Sequence, residues 1–152
     1  MDNLFEQFNS LGWFKEEKYI DKIKALFDNF PEKKFLNLSV FQFDAFEFNE
    51  CSDYQYLINR FGNFSNLEFK VECIKKNKIE LIYNGKKYKK SFRINGSRFD
   101  TDSLIDFLNN KVLKNSTKKF FMLDSPSHLE YPIWADPQLV EKAKELSLIG
   151  TR

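Results

Sequence analysis

Asp124-Ser125-Pro126-Ser127-His128 gathers an acid, two hydroxyls and the only histidine of the chain within five residues. A nucleophile, a base and an orienting acid are what acyl transfer needs, but those roles are set by spatial geometry rather than by adjacency. A run this compact with Pro126 inside it reads more readily as a polar turn between two strands. Cys51 and Cys73 are too far apart, and histidine too scarce, for zinc-ligand spacing. No EF-hand pattern occurs, although the many carboxylates leave a hard-cation site open. Neither G-x-G-x-x-G nor G-x-x-x-x-G-K-[ST] is present, so no phosphate cradle is legible. The expectation is a chain without catalytic residues, metal or cofactor.

The charges are more informative. From residue 35 to 59 there is no Lys or Arg, while Asp44, Glu47, Glu50 and Asp53 are acidic. These four are the candidate residues for contacting a basic protein partner, where carboxylates steer encounter. From Lys70 to Arg93 there are nine bases and two acids, Glu72 and Glu80. Within that stretch Lys86, Lys87, Lys89, Lys90 and Arg93 are candidates for tracking a nucleic-acid backbone, with Tyr83, Tyr88 and Phe92 as stacking faces. The simpler reading of both stretches is solvated surface, the lysines also keeping a strand edge from aggregating. A formal net charge of +2 over 152 residues speaks against a dedicated nucleic-acid binder.

Periodicity supplies the elements that must position these side chains. Asp2 is placed to cap a first helix with Leu4, Phe5, Phe8 and Leu11 on its face and Gly12 at its end. A second helix is predicted from about Glu16, with Tyr19, Ile20, Ile23, Leu26, Phe27 and Phe30 at helical spacing and Pro31 stopping it. The aromatic run 35–48 predicts a strand whose alternation changes phase near Ala45, as at a bulge. Ser52 and Gln55 have capping-box spacing for a helix lined by Tyr54, Leu57, Ile58 and Phe61 and closed by Gly62. A β-meander follows, with Asn84-Gly85 as a type I′ turn that sets Leu81 opposite Tyr88 and Glu80 opposite Lys89. A helix over about Asp102–Lys114 carries Leu104, Ile105, Leu108 and Val112 inward. Extended segments are predicted over Lys119–Asp124 and His128–Trp134, where Pro132 implies an edge or partial pairing. A last helix is capped by Asp136, with Pro137 at its first position and Leu139, Val140, Ala143 and Leu146 on its face.

This order predicts an α+β fold, with a mostly antiparallel sheet including a central meander, in one domain over residues 1–152. Met1-Asp2-Asn3-Leu4-Phe5 lacks the basic start of a signal peptide. No apolar run approaches the roughly 18 residues that span a membrane. Two cysteines are too few for a disulfide framework, so free thiols and a cytoplasmic location are expected, with Cys73 in the core.

Taken whole, the chain resembles the small immunity proteins that protect bacteria from polymorphic or contact-dependent growth inhibition toxins. The resemblance rests on size, on element order, on Leu11-Gly12-Trp13-Phe14 after a short helix, and on Phe120-Phe121-Met122-Leu123 running through Tyr131-Pro132-Ile133-Trp134 into the last helix. It implies a non-enzymatic antitoxin whose partner is a cognate protein toxin, often a nuclease, with the toxin active site occluded. The near-neutral charge departs from the strongly acidic character of many nuclease inhibitors. The resemblance carries no catalytic residues and does not fix the oligomeric state.

Overall fold

The structure is a computed structural model that describes residues 3–33, 37–38, 41–45, 50–93, 99–125 and 128–152. Its elements, in chain order, are α1 (Leu4–Ser10), α2 (Ile20–Asn29), β1 (Phe43–Asp44), α3 (Cys51–Phe64), β2 (Lys70–Lys75), β3 (Lys78–Tyr83), β4 (Lys86–Ser91), α4 (Thr101–Phe107), β5 (Lys119–Met122), β6 (Leu129–Glu130), β7 (Pro132–Ala135) and α5 (Pro137–Glu145). Among the described residues the strand pairings are antiparallel: β2-β3-β4 form a meander, while β1-β6 and β5-β7 form two ribbons. The fold is α+β. Contacts gather the chain into two compact units.

The first unit holds residues 1–42, 117–125 and 131–152. Asn3 caps α1, its side chain accepting from the Glu6 amide at 2.9 Å. The expected cap, Asp2, lies outside the described residues. Gly12 follows the helix at φ +84°, a backbone only glycine adopts freely, and turns Trp13 and Phe14 back onto α1. Phe5 stacks on Phe14 at 5.2 Å and Phe27 tilts against both rings at 6.0 Å. With Phe8, Leu123, Ile133, Val140 and Ala143 these rings make the buried core. The β5-β7 ribbon sets Phe120 opposite Trp134, rings 4.5 Å apart. Asp136 caps α5 by accepting from the Gln138 amide at 2.8 Å, and Pro137 occupies the first turn, where it forfeits no helical bond.

Two expectations are corrected in this unit. The second helix begins at Ile20 rather than near Glu16, and Glu16 instead pairs with Lys118 at 2.8 Å. That hydrogen bond and charge hold the Glu16 carboxyl below the usual carboxylate range. Of the apolar stripe on α2 only Phe27 is buried, while Tyr19, Leu26 and Phe30 are exposed, as is Leu146 after α5. Helical spacing selects a face but does not say whether enough partner surface exists to cover it.

The second unit holds residues 43–116 and 126–130. Its centre is Tyr54 of α3, fully buried, stacked on Phe92 at 4.0 Å and edge-on to Phe99 at 5.1 Å. Phe43 meets Phe61 and Phe99 edge-on, and Val71, Ile79, Leu81, Leu104 and Leu108 are buried. The Asp100 amide, at the head of α4, donates to the Tyr54 hydroxyl at 2.6 Å. Burial pushes the Tyr54 phenol up to about 12, against the lowering effect of that donor.

The hairpin chemistry holds. Asn84 and Gly85 both take positive φ, 50° and 76°, as a type I′ turn demands. Leu81 accordingly faces Tyr88, and Glu80 faces Lys89. Other boundaries move. α3 is capped by Glu50 and Asp53, not by Ser52 and Gln55, and it runs past Gly62 to Phe64. Gly62 does not end the helix; its carbonyl accepts from the Ser65 and Leu67 amides, while Asn66 takes the left-handed residue at φ 55°. The helix at Thr101 widens into a π-helical turn over Leu108–Val112. Among the described residues of the strand expected over 35–48, Phe43–Asp44 is strand and residues 37–38 are helical. Phe46 and Phe48, which carried the phase change, lie outside the described residues. The segment His128–Trp134 divides into β6, paired with β1, and β7, paired with β5.

The cysteines overturn a further expectation. Cys51, buried at the first turn of α3, is disulfide-bonded to Cys73 of β2, their Cα atoms 6.1 Å apart. Cys73 is exposed, not in the core. Neither is a free thiol, so the cysteines no longer argue for a reducing compartment. Among the described residues no helix is long and apolar enough to cross a membrane.

Candidate functional site

The acidic residues singled out by sequence are brought together only in part. Glu50 and Asp53 meet as a reciprocal capping box: each side chain accepts from the other's backbone N–H, the Glu50 amide reaching Asp53 Oδ2 at 2.8 Å. Two carboxylates there also complement the positive end of the helix. Asp44, on β1, sits beside His128, Oδ2 to Nε2 3.3 Å, with the imidazole half exposed. Glu47 lies outside the described residues. Asp44, Glu50 and Asp53 thus have local structural work, which weakens the case that they form a single free acidic patch.

The histidine of the Asp124–His128 run therefore points to a carboxylate that sequence did not pair with it. Asp124 donates its backbone amide to the Gly150 carbonyl at 2.9 Å. Pro126 and Ser127 lie outside the described residues. Among the described residues no group of three or more His, Cys, Asp or Glu side chains is placed to hold a metal.

The basic hairpin is divided by its own register. Lys87 and Lys89 share a face with Lys70, Glu72 and Glu80, since Lys70, Ile82 and Lys87 align across the sheet, as do Glu72, Glu80 and Lys89. Glu80 also approaches Lys87 at 3.9 Å. Lys86 and Lys90 alternate onto the opposite face with Leu81 and Tyr88. Arg93 lies beyond the strand and is exposed. The five bases therefore do not make one continuous track, and the tyrosines Tyr83 and Tyr88 are half-buried.

Sequence reading missed the outward face of α3. Asp53, Tyr56, Arg60 and Phe64 fall at i, i+3, i+7 and i+11, a stripe that runs along the edge of the face holding the buried Tyr54, Leu57, Ile58 and Phe61. Tyr56 is 67% exposed and Phe64 56%. The Arg60 guanidinium lies 5.9 Å from the Tyr56 ring and 6.0 Å from that of Phe64. At an exposed site each such contact is worth about 0.5–1 kcal/mol, enough to bias the three side chains toward one arrangement. The signal was available: Tyr56, Arg60 and Phe64 recur at helical spacing beside the predicted inner face of this helix. α2 shows a similar pattern in the other unit, where Lys22 covers Tyr19 at 5.0 Å and Lys33 covers Phe30 at 5.1 Å. Comparison with protein-family models, curated proteins and solved structures finds no match for this chain.

Proposed function

We propose that this chain is a non-enzymatic immunity protein that binds a cognate bacterial toxin and occludes its active site. The observation that carries the reading is the Tyr56-Arg60-Phe64 stripe on α3. Interface cores are enriched in aromatic residues and arginine, and a few such anchors dominate binding energy. Asp53 stands at the head of the same stripe and Glu50 beside it, so carboxylates border the aromatic surface and favour a basic rim on the toxin. Asp44 lies on a separate element and contributes by steering rather than contact. The sequence resemblance described above supplies the class of partner. Binding and occlusion need no particular compartment, so the reading stands whether or not the chain works in the cytoplasm.

The test is growth rescue of cells expressing a candidate toxin from a neighbouring gene, together with calorimetry on the purified pair. Tyr56→Ala with Phe64→Ala is expected to weaken the complex at least about 30-fold, the equivalent of one strong anchor. Neutralising Asp44, Glu50 and Asp53 is expected to slow association, with steeper loss at low salt. Undiminished affinity in the aromatic double variant removes α3 as the docking surface. Substrate turnover by the purified chain alone refutes the immunity reading itself.

A further inference from the structure

A pocket of about 460 Å³ in the second unit lies where the β3-β4 turn meets the tail of the helix that follows α4. Its lining includes Tyr83, Lys86, Tyr88, Lys111, Lys114 and Asn115. The volume falls in the range of sites for small organic ligands. Among the described residues the lining has three ammonium groups and no carboxylate, a charge set that favours an anion.

The cations have two origins. Lys111 and Lys114 sit at the C-terminal end of a helix, where positive charge answers the exposed carbonyls. Helix electrostatics accounts for those two, but not for Lys86. That residue comes from β4, and strand alternation puts it on the same face as Tyr88 and directly across from Tyr83. The sheet therefore delivers a third cation together with two phenol rings into one concavity. Both rings are half-buried, and Tyr83 is braced edge-on by Phe69 at 5.2 Å. The opposite wall includes Lys111 and Val112, from the π-helical turn Leu108–Val112. Such widened turns are rare and recur at functional sites.

We infer that this pocket binds a nucleoside phosphate, the phosphate held by Lys86 and Lys111 and the base laid against Tyr83 and Tyr88. Ammonium groups suit phosphate as point charges, and tyrosine rings stack on bases with little sequence preference. The ligand is either a free mononucleotide or the 5′-phosphorylated end of a single strand. The site is independent of the α3 stripe and of the immunity reading.

The experiment is titration of the intact protein with adenosine 5′-monophosphate, inorganic phosphate, adenosine and a 5′-phosphorylated tetranucleotide. Tyrosine ring signals are followed by NMR and affinity by calorimetry. The monophosphate is expected to shift the Tyr83 and Tyr88 signals and to bind at least tenfold more tightly than phosphate or adenosine. Lys86→Gln with Lys111→Gln, both exposed positions, is expected to weaken it at least tenfold without altering the circular dichroism spectrum. Affinity should also fall between roughly 50 and 200 mM salt. A tetranucleotide binding more than tenfold tighter than the monophosphate assigns the site to strand ends; comparable binding assigns it to free nucleotides. No response up to about 10 mM ligand, a level at which even a millimolar dissociation constant would show, overturns the inference. Equal binding by phosphate alone with unmoved tyrosines overturns it too, as does undiminished binding by the lysine double variant.

Discussion

Opening the Cys51–Cys73 bond should destabilise the second unit by an amount its loop size sets. The bond closes a sequence separation of 22 residues, for which loop-closure entropy gives about 3.4 kcal/mol at 25 °C. For a chain of this length that corresponds to a fall in melting temperature of about 7–14 °C. The perturbation is a reductant, or Cys73→Ser. Cys73 is the better position because it is exposed; substituting Cys51, buried at the start of α3, would add a packing and capping cost. The assay is thermal unfolding followed by far-ultraviolet circular dichroism, with and without reductant. Tryptophan emission is a poor reporter here, since Trp13 and Trp134 both belong to the first unit. The reduced protein and Cys73→Ser should melt together, both well below the oxidised form. Coincident melting of the oxidised and reduced proteins would refute the reasoning. So would two thiols reacting with an alkylating agent in denatured, unreduced protein.

Three further outcomes rest on packing and protonation. Tyr54→Phe leaves the Asp100 amide without its acceptor and should cost about 1–3 kcal/mol in urea unfolding at neutral pH. The phenol also links stability to alkali, its folded value being raised from 10.0 to about 12. Stability from this group is intact below the unfolded value and is lost as pH climbs from 10.0 toward about 12, because the unfolded chain releases the proton first. Over that window the loss approaches about 3 kcal/mol, and Tyr54→Phe should remove this part of the slope. Gly62→Ala pits helix propensity, about 1 kcal/mol in favour of alanine, against crowding. The added Cβ would lie 2.9 Å from the Leu67 carbonyl oxygen and 3.0 Å from the Phe69 ring. A backbone oxygen has little room to yield, so overpacking of about 1–3 kcal/mol should win and the variant should unfold at lower urea.

Much of the local structure was legible because its causes are local. Asn84-Gly85 fixed a type I′ turn, and through it the full β3-β4 register, since the turn residues must carry positive φ. Asp136-Pro137 located α5 for the same kind of reason: one side chain satisfies an orphan amide and one ring needs none. Around α3 the signal was ambiguous. Ser52-Gln55 and Glu50-Asp53 both have the spacing of a capping box, and only the latter acts as one. Gly62 has the look of a helix end, but its missing Cβ serves close approach of the chain between α3 and β2.

By itself, then, the sequence determined the α+β class, the meander, the hairpin register and the segregation of charge along the chain, all set by neighbours within a few residues. Tertiary structure alone decided what depends on distant segments. It joined Cys51 to Cys73 and placed His128 beside Asp44. It divided the predicted strand His128–Trp134 between two ribbons. It left Tyr19, Phe30, Tyr56 and Phe64 in solvent. Periodicity states which side chains share a face, but burial requires another surface to meet that face, and the chain settles this only when elements far apart in sequence pack together.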